Sequence, residues 1–181
     1  GFMLQAKADW YWFYDLESHS LRLNMTEFTF VTACKSSKLL PHAKQTQSFS
    51  VADNQQYCEY YAIVEEQLAL SEAACVQIAL NAVAQTKFVR PEQPKSWYFL
   101  PQTKAAKRTM FDQVVVLQSE FGSAELLVLE ENKDCANLML LSKEFQLDER
   151  KTMHQFECIK VLQDRIAPLS KPNLSHGKYQ A

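Results

Sequence analysis

The sequence predicts an α+β protein in two parts: an N-terminal α/β domain of antiparallel strands plus two helices, and a C-terminal antiparallel β-barrel-like domain. Three observations carry this reading. Apolar and polar residues alternate with period two in the segments around 10–30, the pattern of strands. Between Asp53 and Phe88 the apolar spacing changes to that of helices. After a proline-rich stretch at 90–101 the chain turns strand-like again, in short apolar runs separated by turns. At 181 residues, 47% hydrophobic and 22% charged, the chain can bury a core without disulfide or metal staples.

Taken in order, the run WYWFY at 10–14 is aromatic at every position, as expected for a strand buried on both faces. Leu21, Leu23 and Met25 alternate with Ser20, Arg22 and Asn24, which predicts a half-buried strand. Phe28 and Phe30 extend the pattern into an antiparallel meander. Asp53, with Gln56 three positions on, resembles a helix-capping box. Tyr57, Tyr60, Tyr61, Val64 and Leu68 then mark one helix face, with Glu59, Glu65 and Glu66 opposite. Ser71 can cap a second helix whose Cys75, Ile78, Ala79, Ala82 and Val83 make it apolar nearly all round, hence buried; it must stop by Pro91. The three prolines of RPEQPKSWYFLP place a domain boundary there, giving an N-terminal domain over 2–90 and a C-terminal one over 91–168. The segments FDQVVVLQ, SAELLVLE and CANLMLL read as successive strands, with Gly122 supplying a permissive turn. Phe156, Ile159, Leu162 and Ile166 predict a final helix near 156–166, and the polar residues 169–181 a disordered tail.

Composition excludes several kinds of chemistry. The three glycines are Gly1, Gly122 and Gly177, so neither a phosphate-cradling loop nor a G-x-S-x-G nucleophile turn can be built. A net charge of −2 argues against a dedicated DNA binder. The five cysteines approach no closer than Cys58 and Cys75, 17 positions apart, which excludes C-x-x-C motifs and points to reduced, inert thiols in the cytosol. No apolar run reaches the length of a signal peptide or membrane helix. His154 and Cys158, four apart, would share one helix face as a nucleophile and base, but no orienting group or oxyanion turn accompanies them. The expectation is therefore a non-enzymatic protein with no catalytic residue, metal or cofactor.

Binding chemistry has more support. From Lys87 to Arg108, six basic residues (Lys87, Arg90, Lys95, Lys104, Lys107 and Arg108) face a single acid, Glu92, and are interleaved with Phe88, Trp97, Tyr98 and Phe99. Such a segment can grip an acidic protein surface or stack and neutralise single-stranded nucleic acid. It is equally open to being a solvated basic loop whose aromatics belong to the core.

The segments DWYWFYD at 9–15, LLP at 39–41, ALNAVAQTKFVRPEQPKSWYF at 79–99 and QDRIAPL at 163–169 together resemble the ZapC family of bacterial division proteins. The resemblance implies a cytoplasmic protein at the division septum that binds FtsZ, on its globular domain, promotes protofilament bundling and lowers GTP turnover. It carries the family's basic positions onto Arg90 and Lys95, the first commonly being lysine, and a functionally important apolar strand position onto Leu23. The resulting expectation is an apolar pocket near Leu23 and Trp97, rimmed by Arg90 and Lys95. A monomer is expected, although bundling could use two surfaces of one chain or a dimer. The alternative is a single-stranded nucleic-acid-binding adaptor using residues 87–108.

Overall fold

A computed structural model describes residues 3–103, 108–109 and 112–169. The chain forms two compact units, Gly1–Glu66 with Leu70–Pro91, and Gln67–Ala69 with Glu92–Ala181. The fold class is the expected one: antiparallel strands and two helices, then an antiparallel sheet.

In the first unit, strands β1 (Tyr11–Asp15), β2 (Ser20–Asn24), β3 (Thr29–Val31) and β4 (Gln47–Ser48) form an antiparallel sheet in the order β3-β2-β1-β4. Leu21, Leu23 and Met25 are buried, as their alternation requires. The aromatic strand is covered less completely than its composition suggests. Trp12 is fully buried, whereas Tyr11 is exposed and packs beside Phe13 on the opposite face, ring centroids 5.9 Å apart. Only one face of this sheet lies against the helices. Phe28 also falls outside the core, because the chain turns through Thr26 at φ 76° before β3 begins.

Helix α1 (Val51–Gln67) starts earlier than its sequence implies. Ser50, not Asp53, is the cap: the Asp53 amide donates to Ser50 Oγ at 3.1 Å, and the Ser50 amide donates to Asp53 Oδ2 at 2.9 Å. This is a reciprocal capping box with Asp53 as its third residue. The same carboxylate accepts from Trp12 Nε1 at 3.0 Å and forms an ion pair with Lys87 Nζ at 2.9 Å. Lys87 lies in the last turn of helix α2 (Glu72–Phe88), which Ser71 caps as expected by accepting from the Ala74 amide. Around this polar knot Trp12 contacts Phe88 and Phe49 at centroid distances of 5.3 and 5.6 Å, and Phe49 contacts Tyr57. These edge-on and tilted pairs add stabilisation beyond area burial.

In the second unit, β5 (Val114–Ser119), β6 (Gly122–Glu131), β7 (Cys135–Leu140), β10 (Cys158–Leu162) and β11 (Ala167–Pro168) form a sheet in the order β10-β7-β6-β5-β11, and β8 (Glu144–Gln146) pairs with β9 (Thr152–His154). The sheet is open, not a closed barrel, since β10 and β11 are its edges. Gly122, at φ +149°, turns the chain from β5 into β6, a conformation that favours glycine. Leu117, Leu126, Leu138, Phe145, Ile159 and Ile166 share one core.

The expected final helix is absent. Residues 158–162 are strand β10, and Gln163–Arg165 form a single 3-10 turn. Phe156 takes a φ of 70°, which no helix accepts, and Ile159 and Val161 are buried while Lys160 and Leu162 lie outward. The i, i+3 apolar spacing coincided with a period-two pattern, and β-branched Ile159 and Val161 prefer the strand. Of the tail expected to be disordered, residues 170–181 lie outside the described residues.

Asp53→Ala removes an ion pair, a cap and the acceptor of a buried indole together, and is expected to cost about 3 kcal/mol or more in urea unfolding. Lys87→Met, which leaves the carboxylate its neutral donors, is expected to cost about 1–3 kcal/mol. Burial pushes the Cys34 thiol up to about 12 from 9.0. Its folded form keeps a proton that the unfolded chain loses, so it contributes stability below pH 9 that is lost as pH rises toward 12. Thermal melts of Cys34→Ala should accordingly fall less steeply across that alkaline window than those of the parent protein.

Candidate partner-binding site

The segment after α2 is built by long-range hydrogen bonds, not by its own propensity. The Lys95 amide donates to the Lys160 carbonyl at 2.8 Å, and the Leu162 amide donates to Ser96 Oγ at 2.8 Å. Arg165 donates through Nη1 to the carbonyls of Ser96 and Phe99. Phe99 is buried and stacks on Phe145 at 5.9 Å. Residues 95–99 are thereby strapped to the outer side of β10, with a 3-10 turn over Ser96–Tyr98.

The strap turns Trp97 outward. It is 70% exposed, although both of its chain neighbours are anchored, Ser96 by hydrogen bonds and Tyr98 by packing on the core. Tyr98 supports it at a centroid distance of 5.6 Å, and Leu100 and Leu162 are further exposed apolar residues of this unit. A large aromatic held rigidly in solvent has the form of an interface anchor, since little side-chain freedom is left to lose on docking.

The basic residues divide by what they touch. Lys87 is committed to Asp53, with its ammonium 5.4 Å above the Phe88 ring. Arg108 has a side chain only 7% exposed; it pairs with Glu131 and donates to the Asp112 carbonyl and to Gln163 Oε1. Lys95 forms an exposed pair with Glu92 at 3.5 Å, an arrangement of little energetic weight that a partner's acid could replace. Arg90, at the end of the first unit, is exposed; its amide donates to the Lys38 carbonyl, and its guanidinium has no partner among the described residues. Lys104 and Lys107 lie outside the described residues. Of the four described basic residues of this segment, Lys87 and Arg108 are therefore tied within the protein, and Arg90 and Lys95 are the exposed ones.

Leu23 has no exposed surface: it lies in β2 opposite Trp12 of β1 and Phe30 of β3, and belongs to the core of the first unit. Sequence reasoning missed Ser96 and Arg165, which hold the strap. Their partners lie 66 to 69 positions away along the chain, so no local pattern reveals them. His154 and Cys158 share no helix face, since they lie on β9 and β10. Among the described residues no group of three His, Cys, Asp or Glu could hold a metal ion, and no helix is long and apolar enough to cross a membrane.

Two family models cover nearly the whole chain. One described as "Cell-division protein ZapC, N-terminal" matches residues 3–90, and one described as "Cell-division protein ZapC, C-terminal" matches residues 91–172. Proteins named Cell division protein ZapC are similar over most of their length. That of Shewanella woodyi is 34% identical over 168 residues, 92% of each chain. That of Photobacterium profundum is 32% identical over 167 residues, 91% of this chain and 92% of its own. That of Pseudoalteromonas translucida is 32% identical over 177 residues, 97% of this chain and 99% of its own. With both halves matched in order and relatives aligned end to end at this identity, the chain belongs to the ZapC family of cell-division proteins.

Proposed function

We propose that this protein binds FtsZ directly in the cytoplasm at the division septum, bundles its protofilaments and thereby slows GTP turnover. The observation that carries the reading is Trp97, fixed in solvent by the strap beside Lys95. Each unit supplies its own contact: Arg90 from the first, Lys95 and Trp97 from the second. Leu23 supports the sheet from within and does not meet the partner. The lysine and arginine charges complement an acidic surface on the globular body of FtsZ, and Trp97 provides the desolvated anchor. Bundled filaments exchange subunits more slowly, so reduced turnover requires no catalytic group, metal or cofactor here. The nucleic-acid alternative loses part of its basis, because Lys87 and Arg108 are both engaged by carboxylates.

The double variant Arg90→Glu, Lys95→Glu should lose co-sedimentation with GTP-assembled FtsZ while keeping the parental melting temperature; unchanged pelleting would sink the site. Trp97→Ala should weaken pelleting by about tenfold or more, the loss of a hot-spot aromatic. Its unfolding midpoint should stay near the parental value. Ser96→Ala gives the opposite pairing of effects: it orphans the Leu162 amide and should cost about 1–2 kcal/mol of stability in denaturant titration.

A further inference from the structure

An antiparallel sheet with one face on the core normally turns polar side chains to water on the other. The sheet of the first unit departs from that rule. Its inner face carries Trp12, Leu21 and Leu23, all fully buried. The register sets two cross-strand rows on the opposite face, Tyr11 with Asn24 and Thr29 in one, Phe13 with Arg22 and Val31 in the next. Tyr11 is 38% exposed and Val31 50%, and Phe13 stands beside Tyr11 only partly covered. None of the three belongs to the buried core, and threonine would serve a solvated strand position as well.

The charges around these rows have fixed places. The Arg22 guanidinium is drawn toward the turn between β1 and β2: it donates to Ser20 Oγ and Ser18 Oγ, each at 2.9 Å, and pairs with Asp15 at 3.4 Å. At the other end of the face, exposed Asp9 and Glu27 flank the Tyr11 row. Asp9 accepts from Thr26 Oγ1 at 2.9 Å, a neutral donor that leaves its charge in place. Thr26 sits at φ 76°, so the turn that carries Glu27 is held by this bond against ordinary backbone preference. With two acids against Lys7, in the turn before Trp10, that end is net acidic.

We propose that this outer face docks an amphipathic helix of a second protein, with apolar side chains on Tyr11, Phe13 and Val31 and a lysine or arginine at the Asp9–Glu27 end. Charge selects this occupant. A face with an acidic border, whose own arginine is neutralised, repels phosphates and acidic protein surfaces and attracts a basic segment. A cation placed at that end also meets the Tyr11 ring, whose π-face attracts it. Dimensions agree as well. The five-residue strands β1 and β2 span ~17 Å, the length of about 11 helical residues. The inner face of the sheet already packs on helices, through Trp12 against Phe88, so a helix outside completes a three-layer arrangement. The proposal does not rest on the FtsZ reading, which uses Trp97, Lys95 and Arg90.

Calorimetric titration of the full chain tests it, with a synthetic amphipathic peptide of about five helical turns, leucine on one face and lysine on the other. The peptide should bind saturably, one per chain, and a counterpart with glutamate for lysine should not. Tyr11→Thr with Phe13→Thr keeps strand-forming residues at both positions; it should weaken binding about tenfold or more with parental melting. Glu27→Lys should weaken it comparably. Glu66→Lys, the same charge change on α1, should leave it unchanged, as should Trp97→Ala. Failure of the lysine peptide to bind overturns the proposal, as does equal binding of the glutamate peptide or unchanged binding in both face variants. A loss in Glu66→Lys equal to that in Glu27→Lys reduces the effect to general attraction and also overturns it. Loss of FtsZ pelleting in the Tyr11→Thr, Phe13→Thr variant would assign the face to FtsZ and overturn a separate basic partner.

Discussion

The first unit is organised around one carboxylate. Asp53 is buried, and its two oxygens receive the indole of Trp12 from the first strand, the Ser50 amide at the start of α1 and the ammonium of Lys87 from the end of α2. Three elements far apart in sequence are thus fixed to one point. Burying a charge is tolerable only when it is paired and its remaining lone pairs are occupied, and here both conditions hold. The aromatic cluster of Trp12, Phe49, Tyr57 and Phe88 packs around this point. The helix ends need the carboxylate, and it needs the aromatic shell to exclude water.

The second unit uses the same logic with weaker pieces. Ser96 and Arg165 hold an irregular segment against a sheet edge that would otherwise expose unpaired backbone. This covering strand-like segment closes the edge and displays Trp97 at once. A single structural device thereby covers an edge strand and leaves Trp97 in solvent, whereas β3 ends its own sheet with no strand beyond it.

Much of the fold was readable from periodicity. Leu21, Leu23 and Met25 announced their strand, Tyr57, Tyr60, Tyr61 and Val64 their helix, and the three later strands lay where short apolar runs between turns placed them. The failures have a common physical origin, which is that sequence pattern counts residues but not their partners. Phe156 to Ile166 fits two periods at once, and a positive φ at Phe156 decided between them. Charge in the 87–108 segment was visible, but Lys87 finds Asp53 from 34 positions away and Arg108 finds Glu131 from 23. Such pairings turn an apparent binding surface into internal structure. Periodicity alone left Trp97 open between core and binding for the same reason, because what turns it outward is the hold of Arg165 on Ser96 and Phe99, far away along the chain.

The three tryptophans also divide the protein optically. Trp10 and Trp12 are sealed in the first unit, while Trp97 stands in water on the second. Intrinsic emission therefore has two separable origins, a blue component that follows the integrity of the aromatic core and a red one that follows whatever lands on the strap. The molecule carries, without any label, independent reporters of its folding and of its surface.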